Sequence, residues 1–121
     1  MERIIEYSEI DSIECSYEGD TSIAIEYSSQ NNEYHLIYKK LHYEITKNEV
    51  DVLLKTLQNL KIDKLPELGM GLDGKTYILK LLSGWNSVKF EWWSDTCGSH
   101  WQDLFTFREK IKKLKEKHTK R

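Results

Sequence analysis

The sequence predicts a small α+β domain, in which two amphipathic helices cover one face of a mostly antiparallel sheet of about five to six strands. Three observations support this prediction. Apolar and polar residues alternate along several short segments, as they do in half-buried strands. Two other segments carry apolar residues at helical spacing. Short turns join neighbouring strand-like segments, which favours antiparallel pairing. The expected order is strands, helix, hairpin, helix.

Length and composition indicate one domain over residues 1–121. A chain of this size buries about two thirds of its unfolded surface, and its last few residues are expected to fray. The start carries acidic residues where a signal peptide needs an apolar run, and no segment reaches the roughly 20 apolar residues of a membrane span. Cys15 and Cys97 are far apart and lack metal-like spacing. A cytoplasmic protein with reduced thiols is therefore expected.

Strand-like alternation dominates the first 45 residues. The opening segment "RIIEYSEI" is predicted to be a strand, with a short helix as the alternative. Alternation over residues 13–17 and again over residues 23–27, on either side of the turn "EGD", predicts a hairpin. A further strand is expected at residues 34–38. The alternation then shifts by one for residues 41–45, so a bulge or bend is predicted at Lys39–Lys40.

Two capping patterns mark the helices. Thr46 and Glu49 form a capping box that opens the first helix, which should end before Pro66. Its apolar stripe is Val50, Leu53, Leu54, Leu57 and Leu60. Ser99 and Gln102 form the second capping pattern, at the start of the last helix. The stripe expected there is Trp101, Leu104, Phe105, Ile111 and Leu114, with Phe107 near its edge.

Four tryptophans accompany a second hairpin, which is predicted to turn around Ser83–Asn86. Trp92 is in phase with apolar strand residues, and Trp101 begins the last helical stripe, so both are expected in the core. Trp93 falls on the opposite, polar face of the strand, and Trp85 falls in the turn. These two are candidate anchors for a partner, since Trp is frequent at binding hot spots. The alternative is that a loop or the N-terminal segment covers these tryptophans within the chain.

The same region resembles a pattern found in small uncharacterised bacterial proteins. The pattern combines an L-D-G-x-x-Y strand, an N-S turn, a W-W pair and a Trp that opens the last helix. The matching residues are Leu72, Asp73, Gly74, Tyr77, Asn86, Ser87, Trp92, Trp93 and Trp101. The resemblance covers about residues 65–115, and "SDTCGSH" stands where such proteins usually have a proline-rich connection. Such proteins usually have no assigned activity, and some resemble immunity proteins encoded beside secreted toxins, so the resemblance indicates the fold more than the function.

Charge is unevenly distributed along the chain. Residues 1–46 hold three Lys/Arg and ten Asp/Glu, whereas the remaining residues hold 15 and ten. The front part therefore has a net charge of −7 and the rest +5, and most of the excess lies in residues 108–121. Because the whole chain is acidic at −2, a nucleic-acid interface is not favoured. The basic tail is interpreted as a solvated helix end.

Residues that carry chemistry do not form a recognisable catalytic set. Cys97 lies near His100 and Asp103, but the sequence identifies no oxyanion hole and nothing that lowers the thiol pKa. The segment "GMGLDG" lacks the spacing of a phosphate loop. His35 and His42 are expected to approach one another, although two histidines alone are weak support for zinc. We therefore expect no enzyme activity, cofactor or metal.

Two functions are carried forward. The leading one is an immunity-type inhibitor that binds a basic toxin domain through an acidic or aromatic surface, because opposite charge accelerates such association. The candidate acids are Glu14, Glu18, Asp20 and Glu26, with Trp85 and Trp93 as alternative anchors. The other is a self-associating structural or regulatory domain, in which Trp93, Lys89 and Glu91 contact a second copy.

Overall fold

The computed structural model describes residues 2–11, 21–58, 60, 75–93 and 102–120, and it confirms an α+β fold with a six-stranded antiparallel sheet and two helices. The strands are β1 (Glu2–Asp11), β2 (Thr21–Ser28), β3 (Glu33–Tyr38), β4 (Leu41–Ile45), β5 (Lys75–Ser83) and β6 (Asn86–Trp93). The helices are α1 (Lys47–Thr56) and α2 (Gln102–Thr119). Neither of these two helices has the length and hydropathy of a membrane span.

The sheet has the strand order β4-β3-β2-β1-β5-β6, so the opening strand β1 lies in its interior. The helical alternative for the opening segment is therefore wrong. β1 pairs with β2 through Ile5–Ile25 and with β5 through Tyr7–Leu79. The predicted pairing of residues 13–17 with β2 is also wrong, because β2 lies between β1 and β3. Residues 13–17 themselves are outside the described part of the chain.

Two tight turns close the outer hairpins. Lys39 and Lys40 connect β3 to β4 with φ angles of 51° and 65°, and Tyr38 faces Leu41 across the turn. Two consecutive positive φ values are typical of a type I′ turn, so the predicted bulge or bend is a reversal of the chain. Gly84 connects β5 to β6 with a φ of 59°, and glycine adopts this conformation without a Cβ clash. This turn lies where the sequence predicts it.

One face of the sheet forms the core together with both helices. Alternate strand residues and four residues of α2 belong to one buried cluster: Ile5, Tyr7, Ile23, Ile25, Leu36, Ile45, Tyr77, Leu79, Trp92, Leu104, Phe107, Ile111 and Leu114. From α1, Val50 and Leu53 join this cluster, but Leu54 is 42% exposed and its predicted place in the stripe is wrong. Phe107, expected near the edge of its stripe, is fully buried.

Polar contacts fix the two helices on the sheet. The guanidinium of Arg108 lies 4.8 Å from the ring centre of Tyr77 on β5, and the Lys115 ammonium lies 4.7 Å from that of Tyr38 on β3. α2 therefore crosses the sheet from β5 towards β3. Lys110 donates a hydrogen bond of 2.9 Å to Thr56 at the end of α1, while Lys117 contacts Glu49 at its start. The two helices are thus antiparallel neighbours.

Candidate partner-binding surface

Trp85 lies at the tip of the β5–β6 hairpin and is fully exposed, at 104% of its reference area. Its position follows from the local sequence, because Gly84 supplies the positive φ of a two-residue turn and leaves Trp85 as the second turn residue. Burying an aromatic side chain removes 150–250 Å² of surface from water in proteins generally. A tryptophan that is fully hydrated in the free protein is removed from water only when a partner covers it. Its burial can therefore contribute strongly to the free energy of binding.

Neighbouring residues support this tip and extend its apolar area. The Gly84 N–H donates a 3.1 Å hydrogen bond to Oε1 of Glu2, which links the turn to β1. Val88 faces Leu81 across the hairpin and is 51% exposed, although its phase places it on the core face. We name Trp85 and Val88 together the hairpin-tip surface. Val88 lies on the paired backbone of β6 and Trp85 in the two-residue turn closed by Ser83 and Asn86, so little backbone entropy is lost when they bind.

Glu26 is the one predicted acidic site residue within the described chain. Its carboxylate accepts hydrogen bonds from Nε and Nη2 of Arg3 at 3.3 and 3.1 Å, and its side chain is largely buried. Arg3 also lies 3.5 Å from Glu6, so one guanidinium serves two carboxylates. Glu26 is therefore partly neutralised, which reduces its contribution to a partner surface.

Other acids, missed by the sequence analysis, share the sheet face of Glu26. The register places Glu26 opposite His35, and His35 opposite Glu44. Glu6 faces Ala24, which is two residues from Glu26 on β2, and Glu33 is two residues from His35 on β3, so both lie on the same face. This face points away from the helices. The sequence showed where these acids fall in the alternation of β1, β3 and β4. It did not show the strand order and register that bring their side chains onto one face of the sheet.

The remaining predicted site residues are only partly described. Glu14, Glu18 and Asp20, and likewise Cys97 and His100, lie outside the described residues. Trp93 is described by its backbone alone, which pairs with Thr76 on β5. These predictions therefore stay predictions.

No family model, no curated protein and no solved structure matches this chain. The resemblance of residues 65–115 to small bacterial proteins thus stays a prediction too. Any functional conclusion must come from the geometry of the surfaces described above and from the chemistry of their residues.

Two histidines come together on the sheet face that carries Glu26. The rings of His35 and His42 lie 6.1 Å apart between centres, and Nε2 of His35 is 3.2 Å from the Glu33 carboxylate. A cavity of about 620 Å³ borders His35 and Glu33 at the end of β2. Within the described chain no three His, Cys, Asp or Glu side chains are arranged to hold a metal ion. The cluster is thus an acidic and imidazole-bearing patch of the surface.

A buried polar cluster joins the sheet to α2, and the sequence analysis missed it. Glu9 is 2% exposed, accepts a 2.7 Å hydrogen bond from the Tyr7 hydroxyl and lies 3.2 Å from Nζ of Lys112. Burial raises the pKa of Tyr7, and the hydrogen bond to Glu9 raises it further, so the hydroxyl stays a donor. The cluster attaches the helix to β1. A charged residue in phase with Ile5 and Tyr7 is the sequence pattern that predicts it.

Proposed function

We propose that this chain is a non-catalytic protein-binding domain of the bacterial cytoplasm, and that it neutralises a basic toxin domain. The observation that carries the proposal is the full exposure of Trp85 on a two-residue turn. Tryptophan dominates the binding energy of many protein interfaces when it enters a pocket of the partner. Val88 on the same hairpin adds a second apolar contact.

Charge supports a basic partner. Glu6, Glu26, Glu33 and Glu44 share one sheet face with Arg3, Lys80 and Lys89. Acids predominate at the β2–β4 end of this face, where Glu26, Glu33 and Glu44 lie, and the front part of the chain has a net charge of −7. A surface of this kind attracts a basic protein, and it repels nucleic acid. Toxin domains that act on nucleic acids need a basic surface, so an inhibitor of such a domain gains from acidic residues. Residues 65–115 resemble small uncharacterised bacterial proteins, some of which resemble immunity proteins, and this untested resemblance motivates the choice of partner.

The first experiment measures binding by tagged wild type and two variants to proteins of a bacterial lysate. Trp85→Ala removes the exposed ring, and Leu41→Ala is the control, because Leu41 is an apolar residue on the opposite edge strand that is 59% exposed. We expect a partner that Leu41→Ala retains and that Trp85→Ala binds at least about tenfold more weakly. Equal retention by both variants would exclude the hairpin-tip surface from the interface.

The second experiment tests inhibition and charge with the purified partner. The captured protein should arrest bacterial growth when expressed alone and lose this effect on co-expression with the wild-type chain. Reversing the charges of Glu14, Glu18, Asp20 and Glu26 should lower the association rate and flatten its salt dependence. The reversal of Glu109, an exposed acid on α2, is the control. A partner without toxicity would overturn the inhibitor proposal and leave the binding surface standing.

A further inference from the structure

β6 forms one end of the described sheet, and β5 is its described neighbour. The register of the hairpin determines which residues of β6 direct their backbone N–H and C=O groups away from β5. Ser83 and Asn86 are the closing pair of a two-residue turn, and pairs of an antiparallel ladder alternate between hydrogen-bonded and non-hydrogen-bonded. Counting from this pair, alternate residues direct their N–H and C=O groups outward: Ser87, Lys89, Glu91 and Trp93. The outer edge therefore offers four residues for a further strand.

The side chains of this edge are complementary to themselves. Lys89 and Glu91 lie on one face of β6, both more than half exposed, on either side of Phe90. Within one chain Nζ of Lys89 lies 3.5 Å from Oε1 of Glu91, so both charges point to the same part of this exposed face. If a second β6 pairs antiparallel with Phe90 opposite Phe90, then Lys89 faces Glu91 of the other copy, and Glu91 faces Lys89. Cross-strand pairs of opposite charge stabilise a sheet. In this register Lys89 of one copy and Glu91 of the other exchange backbone hydrogen bonds, because the N–H and C=O groups of both residues point outward from β6.

Other registers are less favourable. Centring the pairing on Lys89 places two ammonium groups opposite one another, and centring it on Glu91 places two carboxylates opposite one another, which is destabilising. Centring it on Val88 leaves Lys89 opposite Ser87. On the helix-facing side, the register centred on Phe90 places half-exposed Val88 beside Trp92 of the other copy, so apolar area is buried there. Charge and hydrophobic contacts select the same register.

We propose that two copies of this chain associate by antiparallel pairing of their β6 strands about Phe90, which forms a continuous twelve-stranded sheet from two described sheets of six strands. The partner is a second copy because the charge pattern of the edge is complementary to itself under two-fold symmetry. The association does not depend on the toxin-inhibitor proposal. The two Trp85 residues would lie at opposite ends of the paired strands, roughly 33 Å apart, and stay exposed.

Charge exchange tests the register. Lys89→Glu alone, or Glu91→Lys alone, replaces two attractive cross-copy pairs by two repulsive ones. The double variant Lys89→Glu/Glu91→Lys restores the attraction with the signs exchanged. Glu44→Lys is the matched control, since Glu44 is an exposed acid on the other edge strand, β4. Sedimentation velocity over a concentration series gives the dimer dissociation constant, and circular dichroism establishes that each variant is folded.

We expect a dimer for wild type, for Glu44→Lys and for the double variant. Each single variant should show a dissociation constant higher by about tenfold or more. A monomeric wild type at all concentrations would overturn the proposal. So would a dimer that all variants retain equally, or a folded double variant that stays monomeric. Loss of the dimer in Glu44→Lys alone would assign the contact to the β4 edge and would also overturn it.

Discussion

Trp85 and Trp92 occupy opposite environments on one hairpin, since Trp85 is fully exposed and Trp92 is 5% exposed. Trp92 stacks on Tyr77 with ring centres 5.5 Å apart and contacts Phe105 edge-on at 6.5 Å. Trp92→Ala should therefore lower the free energy of unfolding by about 3–5 kcal/mol. Trp85→Ala should change it by less than about 0.5 kcal/mol, because its ring is hydrated in the free protein. Urea titration followed by circular dichroism measures both values. A cost above about 1 kcal/mol for Trp85→Ala would mean that its ring packs within the free chain.

The hydroxyl of Tyr7 has a similarly specific role in stability. It donates to the buried Glu9 carboxylate at 2.7 Å, and hydrogen bonds to charged groups are stronger than neutral ones. Tyr7→Phe should cost about 1.5–3 kcal/mol of unfolding free energy. Tyr27→Phe is the control, because the Tyr27 hydroxyl donates a bond of similar length, 2.9 Å, to Asn32 in an exposed setting. That variant should lose about 1 kcal/mol or less. Equal losses in urea titration would show that burial of Glu9 does not strengthen the bond.

At the scale of elements, the start of α1 and the end of α2 depend on one carboxylate. The Glu49 N–H donates to Oγ1 of Thr46, and the Thr46 N–H donates to Oε1 of Glu49, which confirms the predicted capping box. Oε2 of Glu49 also accepts from Nζ of Lys117 and lies 3.0 Å from Nε2 of His118. Burial alone would raise the pKa of Glu49, but the hydrogen bonds from Thr46, His118 and Lys117 lower it from 4.5 to about 2.

This lowered pKa predicts a loss of stability in acid. The charged form is favoured in the folded state, so its stabilisation is present above the unfolded value of 4.5 and is lost as the pH falls from there towards about 2. Glu49→Gln keeps the capping-box geometry without the charge, and its stability should fall less over that pH range. Urea titrations at several pH values measure the difference. Glu44→Gln, at an exposed carboxyl on β4, should follow the wild type; the same slope for Glu49→Gln would contradict the prediction.

Local chemistry explains which elements were predictable from the sequence. The capping box of α1 and the Gly84 turn involve residues close in the chain, and both were predicted correctly. Lys39–Lys40 was interpreted as a bulge or bend from the one-residue shift in alternation. The turn itself gave no sequence signal, because lysine rarely adopts the positive φ values found there. The partners of β2 were not predictable, because alternation is the same whichever strand lies beside it. At the candidate site, the sequence predicted that Trp85 lies in the turn. It did not predict that Glu6, Glu33 and Glu44 share one sheet face, because that depends on the strand order.

Across the whole molecule, the basic tail contacts acidic residues on other elements. Lys112 reaches Glu9 on β1, and Lys117 and His118 reach Glu49 at the start of α1. The interpretation of residues 108–121 as a solvated helix end is therefore wrong for Lys112 and His118, which are partly buried, whereas Lys117 is exposed. The contacts neutralise part of the acidic charge inside the chain. Under the proposed function, a basic partner would bind the acids of the opposite sheet face, which α2 does not contact.

This arrangement predicts that salt weakens the fold through α2. Raising NaCl from about 20 mM to about 300 mM shortens the Debye length and screens the partly exposed pairs, so the free energy of unfolding should decrease. A variant with Lys112, Lys117 and His118 all changed to Gln should be less stable at low salt and should show a smaller decrease. Changing Lys113 and Lys120 to Gln removes exposed positive charges of the same tail as the control, and should leave the salt dependence unchanged. Equal salt dependence of the triple variant and the wild type would mean that the tail is held by its apolar residues alone, with its charges free to meet a partner.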